Sequence, residues 1–184
     1  MVKSCQQDFL KASMKKAKGF SLIELLVVVA IILIIAAIAI PNLLRARISA
    51  DDAAAASTVR NLNNSQATYL IQYASIGYAS SLAMLGPGNP CSPAGACLVD
   101  EVLGCPGASC SKSGYQYYLA AAPVVPVVSY TITATPIGWA TTGQRNLCSI
   151  QDGVIKQQIA PVDKLAGALT SALCGDPAQY APLK

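Results

Sequence analysis

The chain has 184 residues, 53% of them hydrophobic, with 13 Lys and Arg, 9 Asp and Glu, and no histidine. Without histidine it lacks the commonest general base and metal ligand, and a c-type haem site, which needs C-x-x-C-H, is excluded. The net charge of +4 lies in residues 1–19, where five lysines meet one aspartate, while residues 20–184 carry eight basic and eight acidic groups. Nothing beyond the N-terminus therefore points to nucleic acid as a partner.

In chain order, the first element is an apolar run. It extends from Phe20 to Ile40, and within it only Ser21 and Glu24 are not apolar. About 20 apolar residues cross a bilayer as a helix, so the length predicts a single transmembrane span. Lys11, Lys15, Lys16 and Lys18 precede the run, against Arg45 and Arg47 after it. The positive-inside rule then leaves the N-terminus in the cytoplasm and sends residues beyond Pro41 outward. A secretory signal peptide is the rival reading, with an A-x-A-like site at residues 37–39. Its apolar core is normally only about 7–15 residues, and a glutamate does not belong in it. An ionised carboxylate inside lipid costs about 3 kcal/mol at mid-helix and calls for a partner.

The stretch "KGFSLIELLVVVAIILIIAAIAIPNLLRAR" resembles the N-terminus of type IV pilins and of type II secretion pseudopilins. Those precursors have a short basic leader ending in glycine, then phenylalanine, a glutamate four residues on, a continuous apolar helix and a proline near its end. Gly19, Phe20, Glu24 and Pro41 occupy those places. The resemblance implies that a prepilin peptidase cuts between Gly19 and Phe20 on the cytoplasmic side, and that the new Phe20 amine is N-methylated. A looser likeness to the head of pilin-like proteins of the G/H type continues in "GYQYYL" and "TGQRNLCSIQDGVIK". A leader running from Met1 to Gly19 is long for the family. A start at Met14 would leave only "MKKAKG", so residues 1–13, with Cys5, are expected to lie outside the true protein.

Cleavage would place a positive charge at Phe20, one helical turn from Glu24. Ser21-x-x-Glu24 also reads as a capping box, in which the carboxylate closes the first turn. Capping starts a helix but leaves a charge in lipid unpaired. The resemblance implies the other role: Glu24 meets the terminal amine of a neighbouring subunit as helices pack into a filament. An ion pair formed only on docking would favour assembly and set its register.

After Pro41, Ile48, Val59, Leu62, Tyr69, Tyr73 and Ile76 recur at helical spacing, so residues 41–78 are expected to form an amphipathic helix continuous with the first. Pro41 removes a hydrogen bond and is expected to kink it. Asn63-Asn64-Ser65 is a formal glycosylation sequon, read as chance. Residues 79–184 form the head. Residues 79–113 are rich in Gly, Pro, Ser and Cys and predict a loop, with a short helix at "CLVDEVL". Strands are expected at 115–121, 127–134, 145–150 and 154–159, with Asp152-Gly153 as a two-residue hairpin between the last two. Tyr115, Tyr117 and Tyr130 are expected to pack between this sheet and the long helix. The tail, 161–184, has no strong pattern beyond a short helix at "VDKLAGALTSAL". The fold class is α+β: a long N-terminal helix against a four-stranded antiparallel sheet.

Six cysteines follow the span, an even number suited to disulfides in an oxidising compartment, and their spacings match no zinc or iron–sulfur pattern. Short closures favour Cys91–Cys97 and Cys105–Cys110, leaving Cys148 to clip the tail through Cys174. Crossed pairing, Cys91–Cys110 with Cys97–Cys105, is the competitor. Neither a catalytic residue, nor a cofactor, nor a metal ligand is expected. The calcium site of related pseudopilins uses clustered acids, and Asp163 and Asp176 are isolated. The function expected is that of a structural subunit, membrane-inserted and then polymerised with its own copies outside the membrane by an assembly platform. The alternatives are a secretion pseudopilin, a membrane-anchored binding protein, and an electron-conducting filament, for which the helix offers only Tyr69, Tyr73 and Tyr78.

Overall fold

The computed structural model describes residues 19–160 and 163–183. The rest of the expected leader, with Cys5, lies outside them. The chain divides after Pro41 into two units. Helix α1 (Leu22–Gln72) contains all of the first unit's regular structure and continues into the second, without a break in its assignment at Pro41. Then come α2 (Leu82–Leu85), β1 (Cys110–Lys112), β2 (Tyr115–Ala121), β3 (Tyr130–Pro136), β4 (Leu147–Ile150), β5 (Lys156–Gln158), α3 (Ser171–Gly175) and β6 (Tyr180–Pro182).

The second unit is built on one antiparallel sheet in the order β1-β2-β3-β4-β5-β6, each strand beside its neighbour in sequence. The sheet has six strands rather than four, because β1 and β6 are three-residue edge strands too short to show alternation. Strand β3 is buried throughout and divides its side chains between two faces. Tyr130, Ile132 and Ala134 join Tyr115 and Tyr117 of β2 and Leu147 of β4 in the main core, together with Ala55, Val59, Leu62 and Tyr69 of α1. Helix-period residues and strand-alternating residues thus share one apolar layer.

On the other face, Thr133 Oγ1 accepts from the Leu169 N–H and Thr135 Oγ1 from the Leu165 N–H, both at 3.0 Å. The tail therefore runs extended over the sheet, and helix is confined to Ser171–Gly175 instead of filling "VDKLAGALTSAL". Disulfides join Cys91 to Cys97, Cys105 to Cys110, and Cys148 to Cys174. The last of these, with Tyr180, forms a small buried cluster under the tail.

Three further expectations are corrected. "CLVDEVL" is a turn: the Asp100 carboxylate accepts from the Leu103 N–H at 2.9 Å, and Gly104 N–H returns to Asp100 O. That contact is of the N-cap kind, so the residues before Asp100 stay outside the single turn, and the turn is not continued beyond Gly104. The long helix stops at Gln72 instead of residue 78, because the chain turns to reach the β2–β3 connection. There Val127 N–H donates to Ile76 O and Tyr78 N–H to Val127 O. Gly77 makes that approach at φ +90°, where a Cβ would fall 2.2 Å from Val127 O. Engaged in this way, Val127 lies outside β3, which starts at Tyr130. Finally, the β4–β5 connection spans residues 151–155 rather than two residues, since Ile155 turns inward to the core and Ser149 Oγ donates to Val154 O.

Candidate processing and assembly segment

Gly19 and Phe20 precede α1, and Phe20 is 77% exposed. A Cβ built on Gly19 meets nothing within 4 Å among the described residues, and its φ is not in the left-handed region, so no described neighbour and no backbone strain demands glycine there. Ser21 stands just before the helix. Its N–H donates to Glu24 Oε2 at 3.0 Å, and Leu25 N–H donates to Ser21 O, so the carboxylate closes the first turn as a capping box does. Acidic charge in a first turn also opposes the positive end of the helix dipole. The uncut chain thus gives Glu24 a local partner, a backbone N–H, which satisfies one acceptor but leaves the carboxylate's charge unbalanced.

The side chains that follow have no cover from the described chain. From Leu22 to Leu44 every Val, Leu and Ile is at least 45% exposed. The most apolar 18-residue window of this helix has a mean hydropathy of 3.3, and none of it is buried. Sixteen such side chains left in water cost on the order of tens of kcal/mol, at about 1.5–3 kcal/mol each for full exposure. Such a surface suits an apolar environment, a bilayer or another apolar surface.

Residues 14–40 match the family described as the prokaryotic N-terminal methylation motif. The N-terminal region thus carries a prepilin-type methylation motif. Over 72 residues the chain is 47% identical to the type IV wide pilus major component PilA4 of Thermus thermophilus, covering 39% of this chain and 53% of that protein. The chain thus matches about half the length of this curated relative. No solved structure matches. The matched methylation motif takes in Gly19, Phe20 and Glu24, and it begins at Met14.

Further along α1, Asp52 and Asn63 pin the helix to the sheet and its flanking loops, and Gln66 pins it to the segment that follows it; apolar periodicity did not mark these three. Asp52 Oδ1 accepts from the Tyr115 hydroxyl and, at 3.1 Å, from Gln144 N–H; its Oδ2 lies 3.6 Å from Arg145 Nε. The Asn63 amide donates to Ser149 Oγ and Gly153 O while its carbonyl accepts from the Tyr130 hydroxyl. Gln66 both donates to Ala79 O and accepts from Ala79 N–H. The tyrosines act as structural pieces, as expected. Burial pushes the Tyr115 and Tyr130 phenols well above their ordinary range, with the neighbouring Asp52 adding to the effect at Tyr115. With its amide buried and fully engaged, Asn63 cannot present itself as a glycan acceptor, which agrees with reading the sequon as chance.

Proposed function

We propose that this chain is the precursor of a structural subunit of a type IV pilus-like filament. Prepilin peptidase removes residues 1–19, the Phe20 amine is methylated, and the subunit waits in the cytoplasmic membrane as a single-pass protein with its N-terminus inside. An assembly platform then extracts it into a homopolymer outside the membrane. The observation that carries this reading is the helix from Leu22 to Ile40: apolar, with every Val, Leu and Ile exposed, and interrupted by one carboxylate four residues after the cleavage position. A lone anchor would use that carboxylate only as a cap and would still carry its charge into lipid. In a filament the carboxylate has a further use, because each new subunit brings an amine that would otherwise be buried unpaired.

That Gly19 answers no steric demand among the described residues supports a requirement imposed by the peptidase. The match to a pilus major component favours a pilus over a secretion pseudopilus, which remains the second reading. No enzymatic step is assigned to the chain. Pro41 is the proposed place of a kink, since the ring removes one helical hydrogen bond and crowds the preceding turn. Mass spectrometry of surface filaments tests the proposal. The expected chain begins at methylated Phe20. Filament protein that begins after Ala39, or that retains residues 1–19, would overturn it.

A further inference from the structure

A cavity of about 430 Å³ in the second unit lies between α1, the approach to β4, and β5. Its charged lining is Arg45, Asp52 and Arg145. The single carboxylate is already engaged: Asp52 Oδ1 takes the Tyr115 hydroxyl and Gln144 N–H, and Oδ2 faces only the Nε of Arg145. The two terminal nitrogens of Arg145 and the whole Arg45 guanidinium have no ion pair among the described residues. The cavity therefore keeps one surplus positive charge and two forked donor groups, the geometry that takes up phosphate oxygens. Gln158 adds an amide whose carbonyl is occupied by Asn146 Nδ2 at 2.8 Å, leaving its NH₂ as a donor. The rest of the lining is mixed, with Ser49, Gln144 and Gln157 polar and an apolar patch at Ile48 and Ile159, the latter 54% exposed.

This apolar patch separates an amphiphile from a free anion, because an inorganic phosphate would gain nothing from two isoleucines. Location points the same way. Arg45 follows Ile40, the end of the apolar run, by five residues, and five residues of chain reach at most about 18 Å. Whatever the arrangement of the chain, Arg45 lies close to the polar layer of any bilayer the run occupies.

We propose that the cavity binds the phosphate of an anionic phospholipid headgroup, with its glycerol side against Ile48 and Ile159, while the subunit stands in the membrane. This rests on the reading of the chain as membrane-inserted before assembly. The guanidinium groups clamp the phosphate, Gln158 donates to it, and leaving the bilayer for a filament requires the lipid to be released.

The test uses the full chain in zwitterionic micelles, with the Arg145 Nε–H and the Gln158 side-chain NH₂ followed by NMR. Short-chain phosphatidylglycerol should shift both resonances saturably, with an apparent affinity at least tenfold above that of glycerol phosphate, inorganic phosphate or short-chain phosphatidylcholine. Arg145→Gln should weaken binding at least fivefold. Arg45→Gln should do the same, and that variant removes no ion pair from the fold. Unmoved resonances, equal response to inorganic phosphate, or unchanged affinity in Arg45→Gln would overturn the site. Filament yield is scored separately: normal filaments without lipid binding sink the lipid site alone, and lipid binding without any filaments sinks the assembly reading alone.

Discussion

Glu24 has two roles open to it, and a pair of substitutions separates them. The structure shows its carboxylate accepting from Ser21 N–H at 3.0 Å. If that contact is the residue's purpose, Glu24→Gln should be silent, because a glutamine at the same place still offers an acceptor to the cap. Glu24→Ala would then cost about 0.5–2 kcal/mol of helix stability, the usual worth of a cap. If the purpose is to pair with the Phe20 amine of a neighbouring subunit, both substitutions remove the charge and both should stop assembly. Breaking one buried ion pair by deleting a partner costs about 3–5 kcal/mol, or a factor of roughly 10²–10⁴ in the docking equilibrium of each subunit. Insertion into the bilayer should meanwhile hold or improve, since a charge costing up to about 3 kcal/mol at mid-membrane is gone.

The assay compares sheared surface filaments with membrane-bound subunit for the parent chain and both variants. The docking role predicts filaments lost in both variants, with the subunit still cleaved and retained in the membrane. Normal filament yield from Glu24→Gln would refute the reasoning, and a partial loss confined to Glu24→Ala would return the residue to capping.

Two more outcomes follow from the head. Replacing Cys148 and Cys174 together by alanine opens a loop of sequence separation 26, for which chain entropy gives about 3.5 kcal/mol. Amide exchange should then rise first over residues 163–183, and non-reducing peptide maps of the parent chain should show these two cysteines joined; Cys148 found paired with Cys91, Cys97, Cys105 or Cys110 would overturn the tail clip. The raised phenols of Tyr115 and Tyr130 give stability that is present below pH 10, the ordinary tyrosine value, and is lost as pH rises above it, since the unfolded chain releases those protons first. Ultraviolet titration should show both ionising only with alkaline unfolding, and ionisation of all tyrosines together near pH 10 in the folded protein would contradict it.

How much of this was legible in the sequence follows from what each element depends on. The apolar run needs no partner to be recognised, because a stretch from Phe20 to Ile40 with two polar exceptions reads as an apolar helix of membrane-crossing length from its composition alone. Strand β2 at Tyr115–Ala121 was equally plain, with β-prone residues over a full strand length. Elements whose residues have weak preferences of their own were not plain. β1 and β6 are three residues each and exist because a neighbouring strand and, for β1, the Cys105–Cys110 bond hold them. The extended tail depends on Thr133 and Thr135, some thirty residues away, and no local pattern announces that. Helix α1 was overextended to residue 78 because periodicity continues through Tyr73 and Ile76, while the turn is decided by a tertiary contact with Val127.

The same contrast explains how the polar residues of α1 are distributed. Between Leu22 and Leu44 the helix carries almost nothing directional: dispersion and desolvation favour many neighbours and many registers about equally. One carboxylate in such a surface is a discriminator, since any register that leaves it unpaired costs several kcal/mol. From Asp52 onward the helix instead meets a sheet of its own chain, and there Asp52, Asn63 and Gln66 each find partners in the same fold. Those bonds do for the head what the proposed Glu24 contact would do for a filament. Apolar burial supplies the driving force in both places, and a few buried polar groups reject the wrong alignments, because a misplaced polar atom is penalised far more than a misplaced methyl. Glu24, which has no ion pair among the described residues, is on the same reasoning the residue that the proposed filament contact would complete.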